Sequence, residues 1–164
     1  PEVMDSAQLA WLQSHLWILS GLYGCARPFH AVEPYRLEMG AKLAVDDACD
    51  LYAFWGDKLA RTIAPAGSNT TIVNLASVEY AKSVLPHLAS DATTVTCLFG
   101  EGVRNGKPIQ RSTASKKARG SMVRWMAENK LEDAIGLTTF DVGYRHAPEL
   151  SNRNTLVFLN EQTL

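Results

Sequence analysis

Three patterns that follow one another in the second half of the chain constrain the fold more than any other feature. Residues 93–99 are rich in β-forming side chains, which predicts a strand. The segment Arg104-Asn105-Gly106-Lys107 predicts a hairpin, because Asn-Gly adopts the positive φ values that a tight turn requires. Residues 107–112 would form the returning strand, and the pattern over 115–129 predicts a helix. This order of elements favours a sheet covered by helices.

Short helical and β-rich patterns alternate through the rest of the chain. We therefore expect an α/β (α+β) fold, a mixed sheet with a β-hairpin and flanking helices, in a single domain over residues 1–164. Residues 21–46 predict a long ordered loop, and such loops are usually functional. The other predicted helices are 5–17, 50–63 with Asp50 as N-cap, 77–85 with Ser77 as N-cap, and 131–137, and the other predicted strands are 17–19, 71–75 and 156–159.

The composition excludes several classes of protein. With 164 residues, of which 46% are hydrophobic and 20% charged, the chain can bury a core, which excludes a disordered tail. No apolar run reaches the roughly 18 residues of a membrane helix, so no membrane partner is expected, and no signal-peptide pattern opens the chain. Its three cysteines form no Cys-x-x-Cys pair, so we expect reduced thiols in a cytoplasmic protein.

The basic residues are distributed unevenly. Residues 102–127 contain no Asp or Glu and hold 7 of the 16 Lys and Arg residues. The rest of the chain has 9 basic against 17 acidic residues, a net of −8, so a +7 window lies inside an acidic body. Such a window creates a local positive field that attracts anions, although an ordinary solvated helix and hairpin explain the same count.

The helix predicted inside this window breaks two rules of helix stability. Lysines in its first turn would oppose the helix dipole by ~0.3–1 kcal/mol each, and Gly120 costs roughly 1 kcal/mol relative to Ala. A bound phosphate would offset both, because free N–H groups and positive charge attract it and glycine permits close approach. The alternative is that Gly120 packs under a neighbouring element and the lysines are solvated. The predicted contacts to phosphate or nucleic acid are Lys116, Lys117, Arg119 and Arg124, with Arg36 and Arg27 as outer contacts.

A second set of polar residues lies where predicted strands end. Ser20 and Tyr23 follow one strand, and Asn74, Ser77 and Glu79 follow another, positions where α/β folds commonly bind ligands. These residues also have simpler interpretations as turn and cap residues. Our alternative hypothesis is an enzyme or binder for a small phosphorylated or nucleotide-like ligand. Its pocket would be lined by Ser20, Tyr23, Arg36, Asn74 and Lys117, with Tyr35, Glu38, Ser77 and Glu79 as further candidates.

The chain lacks local motifs for several kinds of chemistry. Its four histidines show no ligand spacing, so we predict no metal site, and we expect no cofactor. The nucleophile-elbow and phosphate-loop motifs are absent, so no catalytic residue is assigned. Cys25 lies near Arg27, which would lower its pKa, but a buried inert thiol is the simpler interpretation. Tyr23 and Tyr35 have rings that can stack on bases, whereas Trp55 and Trp125 lie on apolar faces and are expected in the core.

Seven short segments occur in a fixed order from about His15 to Phe158, and together they are far more specific than any single motif. The segments are Leu19-Ser20-Gly21-Leu22-Tyr23-Gly24, Arg27-Pro28, Pro34-Tyr35-Arg36-Leu37-Glu38-Met39-Gly40, Phe54-Trp55-Gly56-Asp57, Asn74-Leu75-Ala76-Ser77 with Glu79-Tyr80, Lys116-Lys117-Ala118-Arg119-Gly120, and Gly143-Tyr144.

This ordered set resembles the YaaA family of bacterial peroxide-stress proteins. The resemblance implies a cytoplasmic bacterial protein that limits oxidative damage under hydrogen peroxide, helps to keep free iron low and binds DNA. It implies a mixed α/β fold of the family's own and no assigned reaction. The expected partner is therefore double-stranded DNA, bound without sequence preference through phosphate neutralisation.

The chain departs from the family pattern at its start. It opens on Pro1, and the resemblance covers about the later two-thirds of a member, without the N-terminal region that members carry. No helix-hairpin-helix element of the kind associated with DNA binding in the family can be placed in this sequence. A missing strand would leave a sheet edge exposed, which the N-terminal region or a second copy would cover.

Overall fold

The structure is a computed structural model that describes residues 4–163, and it contains two compact units. The sheet unit comprises residues 4–11, Val73–Leu75 and 94–163, and the loop unit comprises Leu12–Ile72 and Ala76–Thr93. The elements in chain order are α1 (Ser6–His15), β1 (Ile18–Ser20), β2 (Gly24–Ala26), α2 (Leu51–Trp55), α3 (Lys58–Ile63), β3 (Thr71–Asn74), α4 (Val78–Ala81), β4 (Thr93–Gly100), β5 (Val103–Arg104), β6 (Lys107–Pro108), α5 (Ser112–Glu128), β7 (Tyr144–His146) and β8 (Thr155–Asn160), with 3-10 turns at Leu85–His87, Ile135–Thr139, Pro148–Leu150 and Glu161–Thr163.

The predicted mixed sheet is confirmed, with strand order β3-β4-β8-β7. β8 pairs with β4 in parallel, from Thr96 opposite Thr155 to Gly100 opposite Leu159, and with β7 in antiparallel. Alternate residues of β4 point into the core, where the Phe99 ring stacks on Phe158. Burial raises the pKa of the Cys97 thiol on the same strand to about 12, so this thiol stays protonated.

The predicted hairpin is confirmed, but its returning strand β6 ends at Pro108 instead of residue 112, and the helix after it starts earlier than expected. Asn105 and Gly106 take φ values of 51° and 71°, as the Asn-Gly pair predicts. α5 begins at Ser112, because Arg111 holds the extended conformation of an N-cap residue. Lys116 and Lys117 therefore lie in the second turn, and the expectation that they oppose the dipole from the first turn is wrong.

The loop unit is built on a hairpin of β1 and β2, in which Ser20 pairs with Gly24. Gly24 has a φ of 72°, and the Trp55 indole N–H donates to the Gly21 carbonyl at 3.1 Å, so this turn is tied to α2. The core of the unit consists of Met39, Leu51, Leu59, Ala60 and Val84.

Two predictions for this unit need correction. Asp50 caps α2 as expected, its Oδ1 accepting from the Ala53 N–H at 2.8 Å. The predicted helix over 50–63 is nevertheless two helices, because Gly56 takes a φ of 49° between α2 and α3. Ser77 also caps its helix, but α4 ends at Ala81 instead of Leu85.

Residues 4–163 contain neither a membrane-spanning helix nor a cluster of metal-ligating side chains. No helix there is long and apolar enough to cross a bilayer. Within the same residues, His, Cys, Asp and Glu form no group of three or more that could hold a metal ion.

Gly24 gives a test of the packing in the loop unit. A Cβ at Gly24 would lie 2.7 Å from the Trp55 ring, whereas a Cβ at Gly67 would meet no described atom within 4 Å. Both residues have positive φ values, so Gly67→Ala measures the backbone cost alone, about 1 kcal/mol. We expect Gly24→Ala to lower the free energy of unfolding by about 3 kcal/mol, since overpacking is added. Urea unfolding measures both, and equal losses would contradict the packing described.

Candidate nucleic-acid interface

The basic face of α5 is exposed. Lys116, Lys117 and Gly120 are all exposed, and the opposite side of the helix buries Ala118 and Met122 in the core of the sheet unit. Neither lysine side chain forms a hydrogen bond or ion pair with any described residue. Their charges are therefore available to an anion from solvent.

Gly120 lies open on this face. A Cβ built at Gly120 would meet no atom of the described residues within 4 Å, apart from the helix's own backbone and its neighbours. The alternative interpretation, that Gly120 packs under a neighbouring element, is therefore wrong for the described part of the chain. The glycine leaves a gap in the row of side chains between Lys117 and Arg124, through which a phosphate could approach the helix.

The two arginines of α5 differ from the lysines. Arg124 donates from Nε to Glu128 Oε1 at 2.7 Å, an exposed pair of the i,i+4 type that is worth little. Arg119 is half-buried, and its Nε has no hydrogen-bond partner among the described residues. Burial lowers the pKa of Arg119. A partly desolvated guanidinium without a carboxylate partner attracts an anion more strongly than a solvated one.

The hairpin extends the positive surface in sequence. The side chains of its basic residues are exposed and form no ion pair among residues 4–163. Among the seven basic residues of the window 102–127, only Arg124 is paired with a carboxylate within the described residues. This matters because residues locked against carboxylates would have little affinity for phosphate. The exposed basic residues of the hairpin and the turn before α5 are Arg104, Lys107 and Arg111.

A carboxylate that the sequence did not single out anchors the base of the hairpin. Glu101 accepts from the Tyr144 hydroxyl at 2.8 Å and from the Asn160 amide at 3.2 and 3.3 Å. The backbone N–H of Glu101 donates to the Ile109 carbonyl, which closes the hairpin. The Glu101 cluster of these three side chains therefore joins the start of the hairpin to β7 and β8. Its position after a β-rich run, between two glycines, was the available signal.

In the loop unit, three of the predicted pocket residues lie together. The Ser20 and Tyr35 hydroxyls share a hydrogen bond of 2.5 Å, and the Tyr23 N–H donates to Ser20 Oγ at 2.8 Å. The rings of Tyr23 and Tyr35 meet edge to face with centroids 5.5 Å apart. Ser20 is buried, so the cluster holds the two tyrosine rings in defined positions.

A second contact in this unit joins the Pro34–Gly40 segment to α4. The Gly40 N–H donates to Glu79 Oε1 at 2.7 Å, and the Tyr52 hydroxyl donates to the Glu79 carbonyl. Burial raises the pKa of Tyr80, and the nearby charges of Glu79 and Glu38 raise it further. Ser77 accepts from the Tyr80 N–H at 3.5 Å, which confirms the helix-cap interpretation.

The remaining candidates are placed differently. Arg27 donates to the carbonyls of Ser14 and Leu16, and its guanidinium lies 3.6 Å from the centre of the Trp17 ring. Arg36 is exposed and has no partner among residues 4–163. Burial raises the pKa of Cys25 more than Arg27 lowers it, as expected for an inert thiol.

Asn74 and Lys117 belong to the sheet unit, whereas the other members of the predicted pocket belong to the loop unit. The Asn74 amide donates to Thr96 Oγ1 at 3.2 Å. A pocket shared by all of these residues stays a prediction.

Comparison with known proteins identifies the family to which the ordered sequence segments point. The family described as "Peroxide stress protein YaaA" matches residues 1–150. The chain belongs to this family.

The curated relatives of this YaaA-family chain are longer than it is. A UPF0246 protein of Pediococcus pentosaceus is 44% identical over 163 residues, covering 99% of this chain and 64% of the relative. A UPF0246 protein of Laribacter hongkongensis is 47% identical over 162 residues, covering 96% and 62%. A third, from Caulobacter vibrioides, is 43% identical over 163 residues, covering 97% and 63%. The chain thus spans just under two thirds of the relatives that it matches.

Titration of Tyr144 tests the Glu101 cluster. Burial, followed by the hydrogen bond to Glu101 and its charge, raises the pKa of Tyr144 from 10.0 to about 12. The folded state therefore holds the proton more tightly than the unfolded state, so the stabilisation is complete below pH 10 and is lost as the pH rises toward 12. We expect Tyr144→Phe to be less stable than wild type by about 1–2 kcal/mol at neutral pH. The difference should shrink as the pH rises from 10.0 to about 12.

Urea unfolding at several pH values measures this difference. Phe140→Leu is the control, because it perturbs the same core without removing a titrating group. Its deficit relative to wild type should stay constant with pH. A Tyr144→Phe deficit that also stays constant would show that the cluster does not retain the tyrosine proton.

Proposed function

We propose that this chain binds double-stranded DNA without sequence preference, through the basic face of α5 and the hairpin before it. The observation that carries the proposal is the exposed basic face of α5, on which the side chains of Lys116 and Lys117 have no carboxylate partner among residues 4–163. Lys and Arg that neutralise phosphates release condensed counterions, and this release drives sequence-independent binding. Gly120 supports the proposal because it leaves room for a phosphate at the helix backbone.

The cellular role that we propose is protection during peroxide stress in the cytoplasm. The description of the family supports a part in the peroxide response. A chain bound along the DNA backbone would help to limit oxidative damage. We propose that an exposed sheet edge is covered by a partner. This partner is either the additional region that the longer relatives possess or a second copy of the chain.

Salt-dependent binding tests the DNA proposal. We expect log affinity for a duplex to fall linearly with log salt, and the slope to decrease by about 1 for each phosphate-contacting lysine removed. The Lys116→Gln/Lys117→Gln double variant should therefore lose about two units of slope and bind more weakly at low salt. Fluorescence anisotropy with two unrelated duplex sequences measures both quantities.

The control is the Lys42→Gln/Lys82→Gln double variant, which removes the same charge from two exposed lysines of the loop unit. It should keep the wild-type slope. An affinity that does not change with salt, or equal losses in the two double variants, would overturn the proposal.

The contacts among Ser20, Tyr23 and Tyr35 favour a second candidate function. A small phosphorylated or nucleotide-like ligand would use this cluster, with Arg36 as the exposed cation. In that case a nucleoside monophosphate should raise the melting temperature saturably, and Arg36→Gln should abolish the shift while Arg61→Gln keeps it. No shift with wild-type protein would eliminate this candidate.

A further inference from the structure

The loop unit has an open groove with an unusual lining. Its volume is about 370 Å³, within the ~300–1,000 Å³ range of small-molecule sites. Tyr23, Phe29, His30 and Val32 line it, and the small residues Ala26 and Ala31 leave room between them. Phe29 is 59% exposed, although aromatic rings of this size are usually buried. The exposed Phe29 ring offers a surface on which a flat ring can stack.

The backbone at Phe29 and the ring of Tyr23 are held before any ligand arrives. The Phe29 N–H donates to Gln13 Oε1 at 3.1 Å, and the Tyr23 hydroxyl accepts from the Glu33 N–H at 2.9 Å. The Tyr23 ring also rests against Tyr35. Preorganised side chains lose little entropy on binding, which favours affinity.

The polar groups at the groove suit a ligand that carries hydrogen-bond acceptors. The backbone N–H of Arg27 donates to His30 Nδ1 at 3.4 Å, which leaves Nε2 of this ring for a ligand. The lining residues all lie within residues 23–32, which contain no Asp or Glu, and the exposed Glu33 follows them directly. Arg36 follows Tyr35 and is exposed without a described partner.

We propose that this groove binds an unpaired nucleobase of a DNA strand, by stacking on Phe29 and Tyr23. The inference rests on the proposed nucleic-acid binding, and it adds a contact to bases that the phosphate-binding face of α5 does not provide. Stacking of one base on an aromatic ring is worth about 1–3 kcal/mol and tolerates any sequence. The groove therefore favours DNA with single-stranded or distorted stretches over perfect duplex.

The test compares a short single-stranded oligonucleotide with an abasic strand of the same length and phosphate number. Phe29→Ser should weaken binding of the base-bearing strand about tenfold, since loss of stacking costs ~1.4 kcal/mol, and leave binding of the abasic strand unchanged. Phe29→Trp should restore the affinity. Ile135→Ser is the matched control, because Ile135 is 81% exposed and lies in the sheet unit.

Each other outcome overturns the proposal. Equal effects of Phe29→Ser on both strands, or none on either, would show that the groove makes no base contact. If thymidine monophosphate displaces the oligonucleotide at an equal concentration of bases, the groove binds a free nucleotide instead of a DNA strand. A change in sedimentation of Phe29→Ser without a change in DNA binding would assign it to a second copy of the chain.

The Lys116→Gln/Lys117→Gln variant separates this inference from the proposed function. If the proposed phosphate contacts of α5 are wrong but the base contact in the groove is right, the lysine variant has no effect. Phe29→Ser then still weakens binding of the base-bearing strand. If the groove fails alone, the lysine variant lowers the affinity for both strands equally and Phe29→Ser lowers neither.

Discussion

The parallel pairing of β4 with β8 is the constraint on which the sheet unit depends. Two parallel strands that are neighbours in a sheet need a long crossover connection, and α5 lies within the connection between β4 and β8. The same helix therefore covers the core and carries basic residues that follow β4. The same pairing brings the carboxyl ends of both strands to one edge of the sheet. Glu101 and Asn160 meet there, and Tyr144 from β7 completes the cluster that anchors the hairpin.

α5 shows how stability and charge compete within one element. Its inner face packs Ala118 and Met122 against the aromatic core, which keeps the helix in place. Its outer face carries lysines without side-chain partners among the described residues and an open glycine, and the glycine costs the helix stability. Because the buried face supplies the stability, the exposed face is free to serve a partner.

The short, capped elements of the loop unit fix polar and aromatic side chains in positions that secondary-structure propensity alone does not explain.

The predictions that succeeded rest on local physics. The Asn105-Gly106 turn, the Asp50 and Ser77 caps and the two faces of α5 each depend on residues within a few positions of one another. β2 and β7 were missed, because three residues are too few to show a period and both strands exist only through pairing with β1 and β8. The Glu101 cluster was missed for a related reason, since its members are 43 and 59 residues apart.

The sequence by itself determined the class of the fold, the main elements, the acid-free window and the family, because these depend on local pattern and on ordered segments. Only the tertiary structure decided which side chains meet: Ser20 with Tyr35, Gly40 with Glu79, and Glu101 with Tyr144 and Asn160. It also decided that Gly120 faces open space and that Phe29 lines a groove. Such contacts are set by packing between segments distant in the chain, and no local pattern encodes them.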